Sequence, residues 1–286
     1  MLKFSTIQLL RFHFSFFLMP VFWFAISQVK DIDTQDALLV FFILHFLVYP
    51  SSNGYNSYMD RDTESIGGIK SPVQPTLQLF YVSVVLDVLA LLLSLLISNF
   101  FCAGIFLYII ASRAYSYRGI RLKKYPVTGY IIVLLCQGAL TFFLVMHGSS
   151  VSKSLQVSPT ALTGAALLIG GFYPLTQIYQ HMQDLKDGVT TISYKLGYRG
   201  TFIFTAAIYL MAISAIGIYM YEEGNVNQFV ILQIFLLPVL VYFCWWFYKV
   251  YKDTRSADFK NTMRMNLIAS FFTNAAFIFI FLIKKI

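Results

Sequence analysis

The stretch Asn53-Gly-Tyr-Asn-Ser-Tyr-Met-Asp-Arg-Asp-Thr-Glu64 follows the apolar run Ala37–Tyr49. Within it, Asn56, Asp60 and Glu64 recur at a spacing of four residues. On a helix each such step advances about 40° around the axis, so the sequence predicts that the three side chains share one face. Ionisable side chains at a membrane segment are costly and usually mark a site. Oxygen ligands stacked on one face suit a hard cation such as Mg²⁺.

The composition around this stretch is that of a membrane protein. Hydrophobic residues make up 58% of the chain, charged residues only 12%, and the mean hydropathy is +0.69. A soluble domain is about one quarter charged, so this composition excludes the ordinary soluble class. We expect an all-α, polytopic protein that forms a single membrane domain over residues 1–286.

Apolar runs separated by charges and turn residues predict about nine transmembrane helices. The fourth run is short for a full span and is expected to continue through 112–117. The predicted spans are Phe12–Gln28, Ala37–Tyr55, Leu77–Ser98, Phe100–Ala111, Thr128–His147, Pro159–Tyr179, Thr201–Tyr221, Phe229–Tyr248 and Asn266–Ile283.

The basic residues predict the orientation of these spans. With nine spans, 17 of the 21 Lys and Arg fall on the side of the amino terminus, and Lys30, Lys153, Lys284 and Lys285 fall on the other. The positive-inside rule then places the amino terminus in the cytoplasm, for which the expected location is the cell (inner) membrane. Topology accounts for the net charge of +8 without a nucleic-acid partner.

A second acidic cluster follows the sixth span on the same predicted side. Gln180 and Asp184 are four residues apart, and Asp187 returns to within about 20° of Gln180 if the helix persists. Two such clusters at equivalent ends of two spans favour a joint metal site over two solvated helix ends. A metal ion at a membrane surface is well suited to hold a diphosphate.

Between the two acidic clusters lies the basic stretch Arg113-Ala-Tyr-Ser-Tyr-Arg-Gly-Ile-Arg-Leu-Lys-Lys124. Topology alone would produce such a loop, but Arg offers a fork of donors and Lys a point charge for a diphosphate. Acids, metal and cations together meet the requirement for ionising a diphosphate ester. Aromatic and apolar residues nearby could accept a lipid tail and stabilise a carbocation through their π faces.

These motifs resemble the UbiA-type intramembrane prenyltransferase family over nearly the whole chain. Members carry Asn-x-x-x-Asp-x-x-x-Asp after helix two, Asp-x-x-x-Asp followed by Gly and Thr after helix six, and Tyr-Ser…Arg-Leu-Lys after helix four. The matching residues are Asn56, Asp60 and Glu64; Asp184, Gly188 and Thr191; and Tyr115, Ser116, Arg121, Leu122, Lys123 and Pro126. The resemblance implies nine helices around a central cavity open near the cytoplasmic face.

The resemblance also implies an activity, namely Mg²⁺-dependent transfer of an isoprenyl group from a prenyl diphosphate to a lipophilic or aromatic acceptor within the membrane. Its expected partners are an isoprenyl diphosphate, that acceptor and membrane lipid. Asp60 and Asp184 are the expected catalytic residues. The expected Mg²⁺ ligands are Asn56, Asp60, Glu64 and Asp184, supported by Gln180 and Asp187, and the expected diphosphate-binding residues are Tyr115, Arg121 and Lys123.

Two departures from the family pattern keep alternatives open. Gln180 stands where the second motif has its first Asp, and Ser71-Pro72 stands where an Arg-Pro pair is frequent. One alternative is a terpene cyclase or another diphosphate-using lyase on the same fold. The other is a non-catalytic lipid-binding or transport protein, although transport predicts charges near the membrane midplane and broken helices rather than charges at one surface.

Overall fold

The computed structural model describes residues 1–284, which fold into nine helical elements with no β-strand beyond two isolated bridges. Seven of the helices are long and apolar enough to cross a membrane, and α1 makes an eighth if its two bent halves form one span. The elements are α1 (Phe4–Phe17 and Met19–Gln28, bent by 44°), α2 (Thr34–Asp60), α3 (Leu77–Ser94), α4 (Asn99–Ser116), α5 (Pro126–Ser149), α6 (Pro159–Lys186), α7 (Ile192–Glu222), α8 (Val226–Lys252) and α9 (Phe259–Ile283).

Each predicted span lies on one of these elements, and the predicted all-α membrane fold is confirmed. The ninth element, α4, has 18 residues and ends at Ser116, so the short fourth run does continue as expected. Several helices begin at side-chain caps: Asp33 accepts from two backbone N–H groups at the start of α2, and Asp258 accepts from Asn261 at the start of α9. Lys285, which the charge count assigns to the opposite side, lies outside the described residues.

An aromatic cluster fills the half of the bundle farthest from the ends of α2 and α6. The Phe24 ring lies 4.7 Å from Phe142 and 4.8 Å from Phe277, with Tyr219 at 6.2 Å. These rings come from α1, α5, α7 and α9, near the ends that precede the odd-to-even loops. Packed rings therefore fill the interior of this half of the bundle, and the cavity described below lies toward the other half.

The helices around this cavity depart from regular α geometry. Single π-helical segments interrupt α2 at Ile43–Val48 and α5 at Leu134–Leu140. A 3₁₀ turn at Ile178–Gln180, four residues after Pro174, interrupts α6. Such segments redirect the side chains that follow them and are frequent at functional sites.

A buried ion pair joins three helices beside the cavity. Asp87 of α3 pairs with Arg113 of α4, and Ser51 of α2 donates to Asp87 at 2.6 Å and accepts from Arg113 at 2.7 Å. The guanidinium also lies 4.0 Å from the centre of the Tyr55 ring. A carboxylate within a membrane span requires such a partner. Through Ser51, the pair also connects α2 to α4, several of whose residues line the cavity.

Candidate active site

The ends of α2 and α6 and the turn between α4 and α5 meet around one cavity of about 190 Å³. The wall combines polar and charged side chains with aromatic and apolar ones. Polar and charged lining residues are Arg11, Ser52, Asn53, Asn56, Asp60, Asp62, Ser112, Ser116, Lys123, Gln137, Thr176, Gln177, Gln180, Asp184 and Thr191; the aromatic ones are Phe14, Tyr108, Tyr115 and Tyr173.

The first motif does not form one continuous helical face. The helix ends at Asp60, and Arg61 adopts a left-handed conformation with φ 55°. Asn56 and Asp60 line the cavity, and Asn56 donates to Ser116 of α4 at 3.1 Å. The Glu64 side chain is 55% exposed and pairs with Lys186 at 3.3 Å. The expectation that Glu64 shares a helical face with Asn56 and Asp60 is therefore wrong, because the helix stops four residues earlier.

Asp62 occupies the cavity wall instead, a position that the sequence reasoning missed. Gln183 of α6 donates to its carboxylate at 2.6 Å. Burial, followed by the neighbouring Asp60 charge, raises the pKa of Asp62 to about 6, against the opposing charges of Lys123 and Arg11. The turn at Arg61 explains why Asp62 and not Glu64 lines the cavity, since it directs Asp62 inward and leaves Glu64 in the exposed loop. Because Asp62 and Glu64 are both acidic and only two residues apart, the sequence does not indicate which of them lines the cavity.

The second motif is also divided by the end of its helix. Gln180 and Asp184 line the cavity, and the carboxylate of Asp184 forms no hydrogen bond or ion pair with any residue in 1–284. Asp187 was expected to lie on the same helical face as Gln180 if the helix continued that far. The helix ends at Lys186, so Asp187 does not share this face. Asp187 turns toward Arg121, with which it forms an ion pair, and toward Arg118 at 3.5 Å.

The basic residues lie in a tight turn between α4 and α5. Arg121 has a left-handed backbone (φ 51°), and its N–H donates to the Tyr117 carbonyl at 2.7 Å. Arg121 is buried between Asp187 and Asp60, whose carboxylate lies 3.5 Å away. Lys123 lines the cavity and pairs with Asp60. The structure thus brings the acidic ends of α2 and α6 and the basic turn into direct contact.

Tyr115, the third residue expected to bind a diphosphate, lies on the part of the cavity wall that α4 forms. Its hydroxyl shares a hydrogen bond with that of Tyr173 on α6. Both rings face the cavity. The pair connects α4 to α6 and presents aromatic surface next to the charged layer.

Three further polar residues lie deeper in the cavity and were not singled out from the sequence. Asn53 precedes Asp60 by seven residues, and Gln177 precedes Asp184 by seven, which places each about 10 Å farther along its helix. Arg11 of α1 donates to the Asn53 carbonyl at 3.3 Å. Within residues 1–284, Arg11 Nε, Asn53 Nδ2 and Gln177 Oε1 are buried without a hydrogen-bond partner. The only sequence signal for Arg11 is its position as a charge inside an apolar segment.

The donor set fits a divalent cation in part. Within residues 1–284, no group of three or more His, Cys, Asp or Glu side chains is close enough to hold a metal ion by itself. The cavity wall nevertheless combines three carboxylates with amide oxygens, and Mg²⁺ is characteristically held by one or two carboxylates together with water and substrate phosphate. The residues present therefore suit a cation that arrives with a phosphate ligand.

Comparisons with known proteins agree with this fold. The UbiA prenyltransferase family matches residues 17–268, and no curated protein matches the chain. A UbiA homolog from Archaeoglobus fulgidus bound to GPP and Mg²⁺ superposes with a TM-score of 0.71 at 17% identity, covering 97% of this chain and 99% of that one. A UbiA homolog from Aeropyrum pernix K1 gives 0.67 at 15% identity (94% and 98% covered), and a digeranylgeranylglyceryl phosphate synthase gives 0.63 at 20% identity (96% of each).

Fold and hydropathy thus define an intramembrane α-helical bundle with a polar cavity. Since the match extends over most of the chain, the protein belongs to the UbiA prenyltransferase family.

Proposed function

We propose that the protein transfers an isoprenyl group from a prenyl diphosphate to a lipophilic or aromatic acceptor inside the membrane. One observation carries the proposal: the acidic ends of α2 and α6 and the basic turn after α4 converge on a single cavity. Family membership and the GPP and Mg²⁺ bound to the Archaeoglobus homolog support it.

Oxygen atoms of Asn56, Asp60, Asp62, Gln180 and Asp184 are the proposed Mg²⁺ ligands, because these five residues line the cavity. When bound, Mg²⁺ would neutralise charge on the diphosphate leaving group. Glu64 and Asp187, expected as ligands from the sequence, are left out because neither lines the cavity: Glu64 is exposed, and Asp187 pairs with Arg121 outside the cavity wall.

Lys123 and Arg121 are the proposed diphosphate-binding residues, with Tyr115 below them. In the structure both cations contact Asp60, so the site holds its cations close to where an anion would enter. Charge-assisted hydrogen bonds to phosphate oxygens would compensate for the loss of the contacts with Asp60.

The reaction needs the allylic C–O bond to break with its electron pair leaving on the diphosphate. Tyr108, Tyr115 and Tyr173 exclude water from the carbon left behind and offer π faces to its positive charge. The acceptor then forms the new bond to that carbon and gives its proton to the released diphosphate or to water. Asp60 and Asp184 are the proposed catalytic residues, since both line the cavity in which the diphosphate would bind.

The test is incubation of purified protein with Mg²⁺, labelled prenyl diphosphates and a membrane lipid extract, followed by identification of the labelled product. Asp60→Ala and Asp184→Ala should each abolish Mg²⁺-dependent diphosphate binding, while Lys260→Ala, on the exposed surface, should not. Wild-type affinity in both cavity variants would refute the shared metal site.

Asp62 and Glu64 provide a matched pair for the ligand set. Asp62→Asn should weaken Mg²⁺ binding at least tenfold in a titration without substrate turnover, whereas Glu64→Gln should change it less than twofold. The reverse order would restore Glu64 as the ligand and refute the assignment of Asp62.

A non-catalytic prenyl-diphosphate-binding protein is the second candidate. The absence of a three-residue metal cluster within the described residues and the neutral Gln180 favour it. Normal binding of prenyl diphosphates with no release of diphosphate from any of them would select this candidate over transfer.

A further inference from the structure

Basic residues gather where α7 begins and α8 ends. Segments 190–200 and 249–264 contain seven Lys and Arg but two Asp, so they carry a net charge of +5 out of +8 for the whole chain. The positive-inside rule places basic loops on one side of a membrane, but it does not require them to gather beside one pair of helices. The seven residues are Lys195, Arg199, Lys249, Lys252, Arg255, Lys260 and Arg264.

Most of this charge has no partner in the protein. Beside the cavity, the basic turn between α4 and α5 pairs with the acids of α2 and α6. In the two segments, the only ion pair among residues 1–284 joins Arg255 to Asp253 within one turn. Arg199, Lys249 and Lys252 are exposed and pair with no described carboxylate. Their charge is therefore available to a ligand from outside the chain.

Aromatic rings hold the two lysines on one face of α8. Lys249 Nζ lies 4.0 Å from the centre of the Trp245 ring, and Lys252 Nζ lies 5.7 Å from that of Tyr248. Each ring precedes its lysine by one helical turn, and spacings of three and four residues keep all four side chains on the same face. Both rings are themselves exposed. The face therefore presents cations and aromatic surface together.

Arg199 adds a guanidinium from the neighbouring helix. Its Nη2 donates to the Tyr251 carbonyl at 2.8 Å, and its guanidinium carbon lies 4.9 Å from the centre of the exposed Tyr251 ring. This hydrogen bond uses one of five N–H donors, and residues 1–284 provide no acceptor for the others. A guanidinium held at a helix end with free donors suits phosphate oxygens.

These six residues form what we term the α8 basic patch: Arg199, Trp245, Tyr248, Lys249, Tyr251 and Lys252. None of them lines the cavity. Tyr and Trp favour the boundary between lipid tails and headgroups, and Lys and Arg near that boundary attract anionic headgroups. We propose that the α8 basic patch binds the headgroup of an anionic phospholipid in the leaflet at this end of the bundle, independently of the transfer reaction.

The chemistry of the headgroup decides the expected selectivity. Its phosphate would accept from the free donors of Arg199, while Lys249 and Lys252 would offset the net negative charge of the lipid. A zwitterionic phospholipid has the same phosphate but carries its own cation, which the two lysines repel. Each Lys or Arg near the surface strengthens attraction to an anionic leaflet by about fivefold. Three of them support a preference of at least about tenfold.

The test measures lipid binding to the purified full chain in bilayers by tryptophan fluorescence, because Trp245 lies in the patch. The probes are phosphatidylglycerol and phosphatidylcholine with brominated acyl chains, since bromine quenches tryptophan at short range. We expect wild type to bind the anionic probe at least about tenfold more tightly, and about 0.5 M salt to reduce this preference. Equal binding of the two probes would overturn the proposal and leave an acidic protein segment as the occupant.

Two triple variants separate charge from packing. Arg199→Gln with Lys249→Gln and Lys252→Gln should reduce the preference to less than about threefold. Arg199→Lys with Lys249→Arg and Lys252→Arg keeps all three charges and should retain most of it. The second variant also controls for folding, because it changes the same positions. An unchanged preference in the Gln variant would overturn the proposal.

A matched control removes three exposed charges elsewhere on the same predicted side. Lys3→Gln with Lys70→Gln and Lys124→Gln lowers the net charge by the same amount, and Lys124 also lies over a ring, that of Tyr125 at 4.9 Å. We expect this variant to keep the wild-type preference. An equal loss in the control would show that net charge alone attracts the lipid, and the α8 basic patch would not be a site.

Discussion

Removing one member of the Asp87–Arg113 pair is expected to destabilise the bundle strongly. The side chains are 13% and 20% exposed, so Asp87→Leu would leave a guanidinium largely buried between α2, α3 and α4 without its carboxylate. Breaking a buried pair by removing one partner typically costs about 3–5 kcal/mol. Because both side chains keep some exposure, we expect the lower end, about 3 kcal/mol.

The double variant distinguishes electrostatics from packing. Replacing both partners with apolar side chains of similar volume is often neutral, so Asp87→Leu with Arg113→Met should recover most of the loss. As a control, Lys30→Met removes a partner from the exposed Lys30–Glu223 pair (79% and 36% exposed), for which we expect about 0–1 kcal/mol.

The measurement is equilibrium unfolding in mixed micelles of mild detergent and increasing SDS, with helicity and tryptophan fluorescence as probes. Single variants that each lose less than about 1 kcal/mol, or a double variant whose loss equals the sum of the two, would refute the reasoning. In that case Ser51 and solvent would be satisfying each charge independently.

Three further predictions concern packing, the metal and topology. Gly138→Ala should lower the unfolding temperature by several degrees, because its Cβ would lie 2.5 Å from the Ala166 Cα. Gly200→Ala should not, because its Cβ would lie at an ordinary 3.4 Å from the Leu196 Cβ. Gln180→Asp should raise Mg²⁺ affinity in a titration, since it adds a charge at the cavity wall, and an unchanged affinity would remove this residue from the ligand set. A reporter inserted at Lys124 should be accessible only from the cytoplasm; labelling from outside intact cells would contradict the orientation.

The sequence alone was sufficient for the fold class and for much of the charged layer. Hydropathy decides that the segments are membrane helices, because an apolar run of about 20 residues is stable in lipid only with its backbone bonds satisfied internally. Motif spacing was enough to expect Asn56, Asp60 and Asp184 near one another, and all three line the cavity. The basic turn could be expected near them, since three even-numbered helices end at the same side.

Tertiary structure decided which neighbours of these residues face the cavity. Asp62 rather than Glu64 enters it because α2 ends at Asp60 and the left-handed Arg61 redirects the chain. Asp187 contacts arginine because α6 stops one residue before it. Helical periodicity holds only while the helix continues, and where it stops depends on turns and contacts formed by distant segments. The position of Arg11 also depends on a distant segment, since its side chain donates to the carbonyl of Asn53, 42 residues along the chain.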